Sequence, residues 1–375
     1  MSVNKYIWWL LIALLPMACD QSSSVSHNPA NSISVSQSMG ASPDPGFARA
    51  LEVRDFNFPA DHAAHPEFAT EWWYFTGNLK DKNSVAYGYQ LTLFRVGLKP
   101  GAPVTDSDWR SHQLYMGHLA LSDIGNARHL TAERFARSAA GLAGAQAEPL
   151  KIWLGPWSIE STGRDLYPLQ LIASTPELGI NLQLQAGSKA LVLQGDNGLS
   201  RKGSAAGNAS YYYSYTRLPT HGQIRLGDKT LSVSGNSWFD REWSSSALAP
   251  DQAGWDWFSL QLDDGRDLMF YRMRDQQGRA QAFSNGVLVG DDGNIIRLSL
   301  DSVQLDVLKQ WQSPDQTSYP LSWRLQIPEQ QIDLRIDAAF DNQEMRHTVR
   351  YWEGAVHVSG SHSGEGYMEL SGYAH

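Results

Sequence analysis

The feature that most limits the fold is the spacing of apolar residues. Residues 180–185 read Ile-Asn-Leu-Gln-Leu-Gln, a strict alternation. A period of two lines one face of a strand with apolar side chains and leaves the other face polar. The same period recurs along the chain. Val85, Tyr87, Tyr89, Leu91 and Leu93 share a side, as do Leu321, Trp323, Leu325 and Ile327, and Ile332, Leu334 and Ile336. Tyr211–Thr216 is aromatic on one face and mixed on the other. Asp263-Asp264-Gly265 and Asp291-Asp292-Gly293 read as hairpin turns, because glycine supplies the positive φ such turns need. Helical periodicity is confined to one short candidate, Ala132–Ala140, with Glu133, Arg134 and Arg137. Many short strands with regular turns predict an all-β chain of sandwiches or barrels.

Composition narrows the choice. Apolar residues make up 42% and charged residues 18%, a balance that builds a core. A length of 375 residues suits two domains. The polar stretch Ala247–Ala253 places the boundary near residue 245, giving domains over 51–245 and 246–375. With 39 acidic against 30 basic residues, general nucleic-acid binding is excluded. A single cysteine rules out an intrachain disulfide and any cysteine-built metal cage.

That cysteine is Cys19. Residues 1–18 have the layout of an export signal: Lys5 as the one charge, an apolar run from Tyr6 to Leu15, and Ala18 before the cut. The run falls short of the ~20 residues a membrane span needs. A cysteine at this place resembles the acylated residue of a bacterial lipoprotein, although Pro16 stands where that pattern wants leucine. The alternative is an ordinary cleaved signal followed by an unrelated cysteine. Asp20 resembles an inner-membrane retention mark. Asp20–Pro45 carries nine serines and no Lys or Arg, too little apolar surface to order itself. Residues 19–50 therefore read as a lipidated cysteine and a flexible tether. They hold the body in the envelope, facing the periplasm.

Four blocks carry a family resemblance. They are Glu71-Trp72-Trp73-Tyr74-Phe75-Thr76-Gly77-Asn78-Leu79, Ser237-Trp238-Phe239-Asp240-Arg241-Glu242-Trp243-Ser244, Gly254-Trp255-Asp256-Trp257-Phe258-Ser259, and Gly364-Glu365-Gly366-Tyr367-Met368-Glu369-Leu370-Ser371-Gly372-Tyr373. In this order they resemble the CrtC/AttH family of carotenoid 1,2-hydratases (hydroxyneurosporene synthases) and their relatives, over residues 55–375. The resemblance implies two lipocalin-like antiparallel β-barrel domains packed together, and no cofactor. For activity it implies carotenoid hydration in some members. Others are described as secreted hydrolases or as accessories of lipoprotein-type ABC transport systems.

Hydrating an isolated alkene needs an acid kept protonated in an apolar site, a surface that stabilises the cation, and a base for the water. Alternation over Ser234–Trp243 places Ser234, Asn236, Trp238, Asp240 and Glu242 on one face, and Phe239, Arg241 and Trp243 on the other. By resemblance Asp240 is the proton donor, with Trp238 near the cation. Asp240, Arg241 and Glu242 read equally as a structural ion-pair knot between domains. Glu71 is a second acid, whose aromatic neighbours would raise its pKa on burial. His118, on the face of Leu114, Met116 and Ala120, reads as a satisfied core residue or as a donor or base inside the N-terminal barrel. His62 and His65 read as surface loop. Trp72, Trp73, Tyr74, Trp238, Trp243, Trp255 and Trp257 are candidate pocket lining, since in a lipocalin-like barrel core and pocket are one surface.

No HExxH motif, phosphate loop, dinucleotide fingerprint or Gly-x-Ser-x-Gly elbow is present, and no metal site is expected. Two functions compete. The first is a membrane-tethered lipoprotein binding a hydrophobic lipid or isoprenoid, for which the resemblance implies an ABC transporter permease as partner. The second is a cofactor-free hydratase or isomerase of prenyl alkenes.

Overall fold

The alternating runs become strands, and the strands form two antiparallel sheets. The computed structural model describes residues 33–34, 45–102, 107–163, 165–246 and 248–374. The leader, Cys19, Asp20 and most of the serine-rich stretch lie outside the described residues. Side to side, the first sheet runs Arg128–Arg137, Gln113–Asp123, Ala86–Gly97, Thr70–Asp81, Lys229–Ser244, Ala209–Leu226, Leu178–Leu184, Leu169–Ser174, Trp157–Ser161, Lys151–Leu154 and Ala143–Gln146. The second runs Ile295–Ser299, Asn285–Val289, Asp267–Asp275, Gln252–Leu262, Gly364–Leu370, Val349–Gly360, Ile332–Ala338, Ser318–Ile327 and Gln304–Gln312. The chain crosses from one sheet to the other between Ser244 and Gln252.

Each sheet curls on itself, as the right-handed twist of long sheets promotes. A Cβ on Gly117, near one end of the first sheet, would press on Leu154 and Trp157 from near the other end. In the second sheet one core cluster joins Leu288 and Leu298 to Leu325 and Leu334 from the opposite side. The result is two barrel-like halves with filled interiors. Trp73, Phe75, Tyr89, Leu91 and Leu93 pack inside the first, and Phe258, Leu260, Trp323 and Trp352 inside the second.

Both fillings include a buried carboxylate opposite an arginine on the next strand. Glu71 faces Arg95, and Asp256 faces Arg272. The two aromatic clusters of the sequence thus occupy corresponding places in the two halves.

Two expectations are corrected. Ala132–Ala140 contains no helix; Arg128–Arg137 is a strand paired with Gln113–Asp123, its Leu130, Ala132 and Ala136 packing on the core. Cross-strand pairing overrides the local preference. The stretch expected to stay flexible through residue 50 is already packed at Phe47 and Ala50, both buried. The Phe47 ring lies where a side chain on Gly97 would go.

The halves meet along the outward faces of their central strands. Tyr74, Tyr212 and Trp238 from the first pack on Trp257, Met269, Tyr271 and Tyr367 from the second. Gly88 allows this approach: a Cβ there would sit 2.5 Å from the Tyr367 hydroxyl. A buried clasp fixes the seam. Asp267 of the second half accepts from Lys189 Nζ at 2.8 Å, Arg217 Nη2 at 2.6 Å and Thr216 Oγ1 at 2.7 Å, all from the first half.

Candidate functional site

The candidate pocket residues do not gather inside one of the barrels, whose described interiors are filled by side chains. A cavity of about 500 Å³ lies in the seam instead. Trp72 and Tyr74 face it from Thr70–Asp81, Tyr212 from Ala209–Leu226, and Asp240 and Glu242 from Lys229–Ser244. The second half supplies Trp255, Trp257, Tyr271, Tyr351, Glu353 and Glu369. Phe94, Leu114, Met116, Phe135 and Val349 add an apolar stretch of wall. An apolar cleft with a few convergent polar groups is the usual form of a small-molecule site.

Asp240 is almost fully buried. Its Oδ1 accepts hydrogen bonds from Ser214 Oγ at 2.5 Å and Trp238 Nε1 at 2.7 Å, and its Oδ2 from the Tyr212 hydroxyl at 2.6 Å. Burial is the strongest influence and disfavours the charge. The three donors oppose it in part, while the nearby Glu242 reinforces it. The carboxyl is pushed up to about 7. Glu242, two residues along the same face, pairs with Lys202 Nζ at 3.3 Å. That ammonium lies 4.1 Å from the centre of the Tyr271 ring, a cation–π distance.

The ion-pair knot exists, but on the other face of the strand and with other members. Arg241 points into the first barrel and binds Glu71, which also binds Arg95. Arg241 also stacks 4.1 Å above the Trp73 ring. Glu71 is therefore not the raised acid expected from its aromatic neighbours. Burial alone would raise it, but Arg241 and Arg95 together hold its carboxyl well below the usual range. It stays ionised, inside the barrel wall.

The aromatic candidates divide in the same way. Trp72, Tyr74, Trp255 and Trp257 line the cavity. Trp73 and Trp243 point into the first barrel, where Trp243 stacks on His65 at 3.9 Å. Trp238 stands behind Asp240 as a hydrogen-bond donor and packs edge-on against Trp257, so the ring exposed to the cavity is Trp257. His62 and His65 are buried rather than on a surface loop. His62 bonds the Tyr213 hydroxyl at 2.6 Å, and His65 bridges Asp61 and Glu71. His118 faces the cavity and not the barrel interior. Its Nδ1 bonds the Tyr351 hydroxyl at 2.8 Å, and its Nε2 bonds Glu133 Oε1 at 3.1 Å.

Sequence reasoning missed two acids. Glu353 and Glu369 stand directly opposite each other on adjacent strands of the second half. Tyr74 donates to Glu353 at 2.5 Å, and Trp255 Nε1 donates to Glu369 at 2.9 Å. Burial and the neighbouring Glu369 push Glu353 well above the usual carboxyl range. Burial, with Glu242 and Asp240 nearby, pushes Glu369 up to about 7. The available signal was alternation: Tyr351, Glu353 and Ala355 share one face, as do Tyr367 and Glu369. Among the described residues, no three His, Cys, Asp or Glu side chains group as metal ligands.

A family profile for AttH-like proteins matches residues 49–373. A crystal structure carrying the AttH designation, from Nitrosomonas europaea, is 32% identical with a TM-score of 0.77, over 87% of this chain and 100% of that one. Kievitone hydratase from Nectria haematococca has a TM-score of 0.64 at 14% identity, over 88% of this chain and 97% of that one. CghA has a TM-score of 0.52 at 12% identity, over 89% and 98%. The last two share the fold. No curated protein sequence matches the chain.

Proposed function

The chain belongs to the AttH-like family, and from that premise and the chemistry of the seam we propose a cofactor-free hydratase acting on an alkene of a hydrophobic, isoprenoid-like substrate. The observation that carries this reading is Asp240. It is a carboxyl without a cationic partner, buried in an aromatic cavity and neutral over much of the range near pH 7. A neutral buried acid is what protonation of an unactivated alkene requires. Trp238, Ser214 and Tyr212 hold its position and stabilise the carboxylate left when the proton has gone. The faces of Trp257 and Tyr74 stabilise the cation. Water then adds to the cation, releases one proton, and Asp240 is reprotonated. Kievitone hydratase bears a hydratase name on the same fold; the role of Asp240 rests on this chain's own geometry.

The test uses the full chain and a panel of acyclic prenyl alkenes in heavy-oxygen water, read by mass spectrometry. Wild type should add one labelled oxygen. Asp240→Asn should lower the rate by about 10²–10⁴-fold, the usual contribution of a general acid. If wild type adds water to none of the panel, the hydratase reading is lost.

The second reading, binding of a hydrophobic ligand for envelope transport, is favoured by the apolar wall and by the leader. In both readings the protein is an envelope lipoprotein held through Cys19. Cys19→Ser should move it from the membrane to the soluble fraction, and an unchanged distribution would show a different anchor.

A further inference from the structure

The hydration just described needs a base as well as an acid, and Asp240 cannot be both in one step. We propose, resting on the hydratase reading, that Glu353 and Glu369 form a proton-sharing pair that takes the proton of the attacking water, and that Tyr351 and His118 connect this pair to Glu133.

The pair is fixed by strand register. Glu353 and Glu369 are cross-strand partners on Val349–Gly360 and Gly364–Leu370. Such partners have Cβ atoms roughly 4.5–5.5 Å apart. Both carboxyls line the cavity, and neither has a cation beside it among the described residues. Ionising one of two facing buried carboxyls disfavours ionising the other, so the pair keeps at least one proton near neutral pH. Glu353 Oε1 is occupied by Tyr74, whereas its buried Oε2 has no partner within hydrogen-bond geometry. An unpartnered buried oxygen facing an apolar cavity is a place for a water or a substrate hydroxyl.

From Tyr351 to Glu133 the connection runs along hydrogen bonds of defined direction. Glu133 accepts from Thr348 N and Oγ1 and from His118 Nε2, so Nε2 carries the ring proton and Nδ1 is the acceptor. Nδ1 then receives the Tyr351 hydroxyl. Tyr351 stands two residues from Glu353 on the same strand face, and because its one hydroxyl proton goes to His118, its oxygen is the atom that would accept a proton from the pair. Glu133 is partly exposed, while His118 is fully buried. The protons balance. Asp240 gives one to the alkene carbon. Water attacks the cation and gives one to the ionised member of the pair. The excess leaves through Tyr351 and His118 to Glu133, and Asp240 regains one from solvent. The other charged groups lining the cavity are themselves paired, Glu242 with Lys202 and Glu71 with Arg95.

Infrared spectroscopy of the full chain tests the pair without substrate. A protonated-carboxyl band at neutral pH should persist in Asp240→Asn and vanish in the triple variant Asp240→Asn/Glu353→Gln/Glu369→Gln. A triple-variant spectrum equal to that of Asp240→Asn overturns the pair. With an alkene in deuterated water, Glu353→Gln should lose water addition at least 10-fold yet still exchange deuterium into the alkene, because the acid remains. Asp240→Asn should lose both. Glu369→Gln serves if Glu353→Gln fails to fold. Hydration by both single variants within 2-fold of wild type refutes the base role while leaving the hydratase reading intact. A wild type that neither hydrates nor exchanges defeats both. His118→Ala should slow repeated turnover and recover with added imidazole; a loss that imidazole leaves unrescued marks His118 as structural only.

Discussion

Asp240 and Glu71 lie on paired strands of one sheet, both buried, and they meet opposite fates because of their partners. Glu71 has two guanidinium groups; Asp240 has two hydroxyls and an indole N–H. Uncharged donors offset only part of the cost of burying a carboxylate, whereas paired cations reverse it. The contrast gives stability a pH dependence with two limbs. Asp240, Glu353 and Glu369 have folded-state pKa values raised above their unfolded ones. Their contribution is complete below the ordinary carboxyl range and is lost as pH rises, through about 7 for Asp240 and Glu369. Glu71 has a depressed folded-state pKa, so its contribution is present at neutral pH and lost as pH falls below its ordinary range. Melting temperature should therefore peak in the ordinary carboxyl range, at about pH 4, with each raised group removing about 1.4 kcal/mol per pH unit across its window. Asp240→Asn should flatten the limb between pH 5 and 7. A profile rising steadily to pH 8 contradicts this assignment. If Asp240 is the donor of the proposed hydration, that activity should fall as pH rises through about 7.

At the scale of single elements, the strand Lys229–Ser244 shows what can be read in advance. Its alternation separates Trp238, Asp240 and Glu242 from Phe239, Arg241 and Trp243, and the structure keeps that division. What alternation lacks is a label for which face meets which neighbour. Sequence therefore left open whether Arg241 would pair with Asp240 and Glu242. The side chains project from opposite faces, and Arg241 reaches Glu71 across the adjacent strand instead. The same ambiguity put His118 inside a barrel, since Leu114, Met116 and Ala120 look like core when they in fact face the seam. Glu353 and Glu369 were invisible as a pair because their opposition depends on a register that joins non-local segments to a particular alignment. The two halves, the strand character and the face of Lys229–Ser244 that carries Asp240 and Glu242 were legible; contacts between distant strands were not. The seam clasp is another such contact. Asp267→Asn should cost about 3–5 kcal/mol, the usual effect of removing one member of a buried ion pair. Chemical denaturation of the full chain measures this, and a change below about 1 kcal/mol would show that the clasp adds little.

At the scale of the whole molecule, the cavity belongs to neither half. In a single barrel that holds its ligand, the residues that fill the interior and those that touch the ligand are the same, so a change of ligand disturbs the core. Here the two sets sit on opposite faces of shared strands. Trp73 and Phe75 are sealed in the first barrel, while Trp72 and Tyr74 between and beside them face the cavity. Alternate positions along one strand thus answer to different pressures. One set is held by packing density, which leaves little freedom for volume change. The other is held only by what must fit in the cleft. Relatives can diverge in ligand by changing every second residue of a few central strands, and a library confined to those positions would vary the cleft while leaving the packed interior of each barrel untouched.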